Sequence, residues 1–341
     1  MAETDPRLFV GFDLGGTKML AHVYEVAAAA NDPEAAKTVA KANAYERIGR
    51  ERKKTHGYRG PKAGVERIVE VVTAALEDAG KDAKDLSGIG IGCPGPVDME
   101  NGVLIGPPNL GWGETKIADP LKQAFGCPVS VVNDVDAGMY GEYRFGAAHG
   151  SRCAVGIFPG TGVGGGAVYR GEIFRGAGSS CMEIGHVCVD PTGPLCGCGQ
   201  RGCLEAVASR LSIAANAAKA AYRGEAPALF EKAGTDLREI RSGAIAEGVE
   251  NDPVIKDIVT EAGRQIGLAA ASLIHLLGPD VIVLGGGLVE AIPKLLCKVV
   301  EETANGRVMT AYRKSFRVVP AELADDAGVL GAAAWAARAA A

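Results

Sequence analysis

Apolar runs in this chain stop on glycine clusters. Leu8 to Asp13 runs into Gly15-Gly16, the run from Cys153 into Gly160 to Gly166, and Val281 to Leu284 into Gly285-Gly286-Gly287. Short β-branched and aromatic runs of this kind read as strands, and turns without Cβ atoms let a backbone approach a ligand closely. Segments with helical spacing lie between them, so strands alternate with helices and the chain is α/β. Glycine supplies 48 of the 341 residues, roughly twice the usual share, and gathers in these turns instead of spreading through a linker. A chain of this length exceeds what one core usually supports, which predicts two domains.

Leu8 to Asp13 and Met19 to Val26 flank the turn Leu14-Gly15-Gly16-Thr17-Lys18 and predict a hairpin. A third strand is expected around Thr38 to Tyr45, a solvated loop over the charged stretch Glu46 to Lys62, and a helix from Val65 to Ala79 stopped by Gly80. A strand at Ile89 to Gly92, a Gly/Pro-rich excursion over 93 to 115, a helix near Ile117 to Phe125 and a strand at Val129 to Val132 follow, and Asp134 opens another helix. From Cys153 the plan restarts, with a Gly-rich turn at Gly160 to Gly166 and strands through Val168 and Ile173. Gly11-Phe12-Asp13-Leu14-Gly15 and Gly156-Ile157-Phe158-Pro159-Gly160 fall in equivalent places, a short self-similarity that suggests a duplicated lobe. Helices from Leu204 and Val254, the strand Val281 to Leu284, a strand near Val318 and an Ala-rich terminal helix complete the pattern.

Composition narrows the partners. A net charge of −5 and pI near 5.7 argue against a broad nucleic-acid or anionic-membrane footprint, which rests on dense Lys/Arg surfaces. The start MAETDPRLF has neither the basic region nor the apolar stretch of a secretory signal, so a cytoplasmic location is expected. The most apolar long region, Gly267 to Val289, is cut by His275, Pro279 and Asp280 and reads as a helix followed by a strand, not a membrane span. Five of the nine cysteines (Cys93, Cys127, Cys153, Cys181, Cys297) are scattered in apolar surroundings and are expected in the core. The other four, Cys188, Cys196, Cys198 and Cys203, crowd together, which in a cytosolic chain points to metal.

Within that crowd His186, Cys196, Cys198 and Cys203 form H-x9-C-x-C-x4-C, with glycines at 197, 199 and 202 that let the chain fold around one centre. Four such ligands suit a closed, tetrahedral, structural zinc site. Three buried thiols beside a core histidine is the competing reading. Folding this loop would bring Glu183 and Glu205 near the imidazole, where carboxylates can bind vicinal hydroxyls; alone, Glu205 could equally serve a helix dipole. Asp13-Leu14-Gly15-Gly16-Thr17-Lys18 offers backbone N–H groups, a hydroxyl and an ammonium to a phosphate, with Asp13 suited to Mg²⁺, or it is an ordinary hairpin turn. Gly160-Thr161-Gly162-Val163-Gly164-Gly165 matches G-x-G-x-x-G, but a strand follows where a dinucleotide fingerprint needs a helix. Gly285-Gly286-Gly287 stands past the carboxyl end of a strand, where α/β sheets receive ligands. Asn133-Asp134 sits at a strand end before a helix and is also a plausible N-cap.

Together these residues resemble the ROK family (repressors, open reading frames and sugar kinases) within the actin-like and hexokinase-like ATPase superfamily. Asp13 to Lys18 resembles its first phosphate motif, Gly160 to Gly166 its second and Val281 to Gly287 its adenosine motif. Glu183-x-x-His186 through Cys196-x-Cys198-Gly199-x4-Leu204-Glu205 is similar to its signature. The resemblance implies an α/β, two-lobed actin-like ATPase fold (a duplicated RNase H-like unit) with an interlobe cleft and a structural zinc loop. It places a smaller N-terminal lobe at 1–133, joined by the terminal helix at about 327–341, and a larger lobe at 134–326.

It also implies an ATP-dependent kinase that phosphorylates a hexose, with Asp134 as catalytic base and Gly95, Asn109, Asn133, Glu183, His186 and Glu205 as sugar contacts. Asp13, Gly15, Gly16, Thr17, Lys18, Gly160, Thr161, Gly162, Gly164, Gly165 and Gly285 to Gly287 would hold Mg-ATP, and His186, Cys196, Cys198 and Cys203 structural Zn²⁺. Pro94-Gly95-Pro96-Val97-Asp98 and Asn109-Leu110-Gly111-Trp112 resemble the glucokinase branch, so glucose is the expected sugar, with N-acetylglucosamine, N-acetylmannosamine, mannose and fructose as alternatives. Many relatives continue Asn-Asp with Ala-Asn-Ala, whereas Val135-Asp136-Ala137 follows here and adds a carboxylate near the base. Repressors of the family carry a helix-turn-helix module before the first phosphate motif, and the few residues before Asp13 cannot hold one. The expected partners are a sugar and ATP, not nucleic acid or membrane, with self-association as a homodimer or homotetramer.

Overall fold

Strand β1 (Arg7–Leu14) is buried along nearly its whole length, as a central strand covered on both faces must be. The computed structural model describes residues 6–27, 44–107, 109–177 and 181–340. They fall into two compact units, one from the described residues of Met1–Gly150, Ile173–Cys181 and Asp325–Ala341, the other from Ser151–Glu172 and Met182–Ala324.

In the first unit β1 pairs antiparallel with β2 (Lys18–Val26), which pairs antiparallel with β3 (Tyr45–Lys54). After helix α1 (Pro61–Asp78), β4 (Leu86–Cys93) lies parallel to β1. Three two-residue strands, β5 (Val97–Asp98), β6 (Val103–Leu104) and β7 (Thr115–Lys116), form a small separate sheet. Helix α2 (Ala118–Phe125) leads to β8 (Val129–Asn133), parallel to β4, and then to α3 (Asp134–Phe145). The main sheet therefore runs β3-β2-β1-β4-β8. Ile68, Val71, Val72, Ala75 and Leu76, on one face of α1, pack against this sheet in the unit's core.

The second unit repeats the scheme. Strands β9 (Cys153–Pro159) and β10 (Val163–Tyr169) form a hairpin, with the short β11 (Glu172–Ile173) at the edge. Helices α4 (Leu204–Ala208), α5 (Arg210–Tyr222), α6 (Pro227–Ala233), α7 (Ser242–Asn251) and α8 (Pro253–Leu277) follow. Strand β12 (Val281–Leu284) lies parallel to β9, and after α9 (Gly287–Ala291) and α10 (Pro293–Arg307), β13 (Arg317–Pro320) lies parallel to β12. Its order, β11-β10-β9-β12-β13, is that of the first sheet strand for strand, so the duplication suggested by the short self-similarity at Gly11 and Gly156 is present in the topology.

The charged stretch from Glu46, expected as a solvated loop, is instead largely strand β3. It is an edge strand, with only Tyr45 and Gly49 buried and its Arg, Lys and Glu side chains mostly turned outward, and charge on an edge deters further pairing. The strand expected from Thr38 lies mostly outside the described residues. Helix α3 belongs with the first unit, not beyond a boundary at 133, because it packs on the C-terminal helix (Ala327–Ala339). Of the scattered cysteines, Cys93, Cys127, Cys153 and Cys297 are buried and Cys181 is half-buried. Among the described residues no helix is long and apolar enough to cross a membrane.

The C-terminal helix seats backbone against backbone. A Cβ on Gly11 would stand 1.9 Å from the Val329 carbonyl oxygen, one on Gly90 1.8 Å from that of Ala332, and one on Gly331 1.8 Å from that of Ala137. None of these neighbours is a flexible side-chain tip, so a methyl group there displaces the helix. Gly90→Ala is expected to cost about 3 kcal/mol of stability, read as a lower urea midpoint; an unchanged midpoint would mean the helix is not seated this closely.

Candidate active site and metal centre

Parallel pairing of β1, β4 and β8 levels their carboxyl ends, with Asp13 opposite Gly92 and Cys93 opposite Asn133. Asn133 caps α3, its Oδ1 accepting from the N–H groups of Val135 (2.9 Å) and Asp136 (3.2 Å), while its Nδ2 donates to the Gly95 carbonyl (3.0 Å). One side chain thus fixes both the start of α3 and the Pro94-Gly95-Pro96 excursion. Asp134, the first residue of α3, accepts from the Val135 N–H through Oδ1 at 2.9 Å. Gly92 lies beside it on β4, where a Cβ would stand in ordinary contact, 3.4 Å from the Asp134 Cα. Asp136, next on the helix, is buried.

Carboxylates crowd this edge. The Asp13 pKa is raised from 3.8 to about 7, first by loss of water around the group, then by the charges of Asp134 and Asp325. Burial and the same pair, Asp134 and Asp13, push the Cys93 thiol well above its ordinary range. Crowded carboxylates of this kind suit a hard divalent cation, which takes oxygen ligands. Asp325 had no mark in the sequence beyond standing before a helix, and it comes from the far end of the chain.

The adjoining hairpin turn is closed by Gly15 N–H donating to Lys18 O (2.9 Å). Thr55 braces it, with Oγ1 donating to Gly15 O (2.6 Å) and its own N–H to Thr17 O (2.9 Å). Gly16, Thr17 and Lys18 are exposed, and a Cβ on Gly16 would lie 3.2 Å from that of Asn109. The structure therefore brings Asp13, the turn to Lys18, Gly95, Asn109, Asn133 and Asp134 to one edge of the first unit.

In the second unit the glycine turn is shorter than the sequence suggests. Only Gly160 to Gly162 turn, because β10 begins at Val163 and pairs Gly164 with Phe158 and Gly165 with Ile157. Gly165 is small for packing: a Cβ would meet Met182 O at 2.5 Å and the Ile184 side chain at 2.6 Å. Arg210, unmarked in the sequence, anchors the turn by donating its N–H to Gly160 O (2.9 Å) and Nη2 to Thr161 Oγ1 (3.4 Å). Gly286, at φ 93°, lies against Pro159, so the turns at 160 and 285 to 287 are neighbours at the ends of β9 and β12.

His186, Cys196, Cys198 and Cys203 converge, their ligand atoms all within 4.8 Å of one another. His186 Nδ1 to Cys196 Sγ and Cys198 Sγ to Cys203 Sγ are each 3.7 Å. Zinc–sulfur bonds of about 2.3 Å in a tetrahedron give sulfurs about 3.8 Å apart, so the donor set fits Zn²⁺ in type, number and spacing. The Cys196 N–H donates to Gln200 O (2.8 Å) and the Gly199 N–H to Cys196 O (2.9 Å), turning the loop back on itself. Glu205, on α4, accepts from the Val163 N–H through Oε2 (3.1 Å), and its Oε1 lies 3.9 Å from Cys196 Sγ. It joins the knot to the strand leaving the glycine turn. Glu183 and His186 are exposed on the short 3₁₀ turn beside it.

A sheet duplicated strand for strand, with glycine turns at equivalent strand ends and a His/Cys knot in the second copy, defines a protein of the actin-like and hexokinase-like ATPase class. The chain belongs to the ROK family, whose pattern matches residues 9–339. It is 31% identical over 334 residues to the glucokinase of Thermotoga maritima, covering 96% of this chain and 97% of that one. A Streptomyces griseus ROK family glucokinase, solved in complex with glucose and AMPPNP, superposes with a TM-score of 0.78 at 30% identity over 97% of this chain and 99% of that one. Similarity extends to the xylose repressor of Caldicellulosiruptor bescii, 27% identical over 265 residues, 77% of this chain and 66% of that protein.

The raised Asp13 pKa sets a sign for stability. Between pH 3.8 and about 7 the folded chain holds a proton that the unfolded chain releases, so this group's contribution is full at low pH and is lost as pH rises toward 7. Asp13→Asn, which removes the charge, is expected to stabilise the metal-free protein by roughly 2 kcal/mol at pH 8 and hardly at all at pH 4. Equal effects at both pH values in urea titrations would contradict the crowding.

Proposed function

We propose that this chain is an ATP-dependent glucokinase that transfers the γ-phosphoryl group of Mg-ATP to the 6-hydroxyl of glucose. The observation that carries the reading is the Asp134 carboxylate near Asp13, oriented by the Val135 N–H at the head of a helix that Asn133 caps. The glucokinase relatives of nearly equal length support the sugar and the donor.

Phosphoryl transfer has a loose transition state, so the protein's work is to align the reactants and balance charge on the phosphate oxygens. Asp134 is assigned to orient the sugar hydroxyl and accept its proton late in transfer. Its Oδ1 accepts from the Val135 N–H, which orients the carboxylate at the head of the helix. Gly95, Asn109, Asn133, Glu183, His186 and Glu205 are assigned to the sugar. His186 turns Nδ1 to the thiols, so Nε2 is the nitrogen to offer a hydroxyl. The N–H groups of the turns at Gly15-Gly16 and Gly160 to Gly162, with Thr17, Lys18 and Thr161, are assigned to the phosphates, and Gly285 to Gly287 to the adenosine. Mg²⁺ beside Asp13 would neutralise phosphate charge, and the zinc held by His186, Cys196, Cys198 and Cys203 would be structural. Gly164 and Gly165 are assigned a lesser part, through strand pairing and packing.

Asp134→Asn is expected to lower kcat by about 10²- to 10⁴-fold with little change in the glucose KM; near-normal turnover would remove Asp134 from its role. Cys198→Ser is expected to lose zinc, lower the melting temperature and weaken glucose binding together, measured by elemental analysis, thermal unfolding and calorimetry. ADP release over a panel of glucose, N-acetylglucosamine, N-acetylmannosamine, mannose and fructose ranks the alternatives, and glucose outside the best substrates would overturn the assignment.

A further inference from the structure

The metal knot uses three of four neighbouring cysteines, and the fourth, Cys188, is exposed and outside the ligand set. It is not remote from the knot. Cys188 and Cys203 form an isolated antiparallel bridge between the chain entering the loop and the chain leaving it. The Val189 N–H donates to Gly202 O (2.8 Å) and the Leu204 N–H to Val187 O (2.9 Å). These two bonds bracket the cysteines, which makes them directly opposed residues of a non-hydrogen-bonded pair. In such a pair the Cα atoms are about 4.5 Å apart with both side chains on one face, and disulfides span Cα separations from about 4.4 Å upward. Cys188 Sγ now lies 3.7 Å from Arg201 O and Cys203 Sγ 3.7 Å from Cys198 Sγ, so closure turns both side chains toward each other.

We propose that Cys188 is a redox-sensitive thiol that forms a reversible disulfide with Cys203 on exposure to peroxide, removing a ligand from the metal knot. The Cys188 thiolate attacks the peroxide: an S–O bond forms, the O–O bond breaks and the departing hydroxide leaves as water. The Cys203 sulfur then attacks the Cys188 sulfenic acid. The S–S bond forms and the S–O bond breaks with loss of a second water. In total, one thiol, one thiolate, one peroxide and one proton yield a disulfide and two waters, and zinc would be left to His186, Cys196 and Cys198 alone. Cys188 reacts first because it is exposed and not metal-bound, whereas Cys203 is buried. Cys203 also immediately precedes α4, which carries Glu205, so bridging it disturbs the carboxylate at the second glycine turn. The effect on sugar binding rests on the kinase reading; the disulfide does not.

The test uses the full chain loaded with zinc, hydrogen peroxide as oxidant, a chromogenic chelator to follow released zinc, and peptide mass spectrometry without reductant. Zinc release should accompany a Cys188–Cys203 linkage, and dithiothreitol with added zinc should reverse both. Cys188→Ser, and Cys188→Ala as a second variant, should melt like the parent and release zinc about tenfold more slowly. Linkages confined to Cys196, Cys198 and Cys203, or release from both variants at the parent rate, would overturn the proposal. If the chain binds no zinc, linkage mapping alone decides. Neither readout needs phosphoryl transfer, so failure of the glucokinase reading would leave this result standing.

Discussion

Like charges at the ends of β1 and β8 are the constraint around which the first unit is arranged. Water is scarce around Asp13, and Asp134 and Asp325 add their fields to it. Carboxylates left to themselves would move apart. They are held because Asp13 is on a central strand, Asp134 is fixed by the cap of its helix, and Asp325 enters with a helix seated directly on the sheet. The repulsion lowers stability in the metal-free protein, and a divalent cation bound there would relieve it.

The second unit solves a different problem by different means. The segment from Met182 to Cys203 has little regular structure, and three thiols and an imidazole converge within it. The Val163 N–H bond to Glu205 then couples that loop to the sheet. Zinc held by these four side chains would supply rigidity in place of a core.

What the sequence disclosed was chemistry that is local along the chain. The two-glycine turn after Asp13, the helix opening at Asp134 and the spacing of His186, Cys196, Cys198 and Cys203 each involve residues close in number, and each was found in place. Strand β3 was hidden because an edge strand needs no apolar alternation, and its charges made it look like a loop. Gly164 and Gly165 looked like turn residues because a glycine used for packing cannot be told by composition from one used for bending. Thr55, Arg210 and Asp325 reach their places from distant parts of the chain and left no local pattern. The duplication was audible only as five residues, yet every strand of the two sheets corresponds.

The helix Ala327–Ala339 lies against β1, β4 and α3, although all of the second unit separates it from them in the chain. On a ribosome the opening sheet would thus emerge long before its cover, with Gly11 and Gly90 presenting bare peptide groups and the neighbouring apolar side chains open to chaperones. Nascent β1 and β4 stay without this cover until the entire intervening unit has been synthesised.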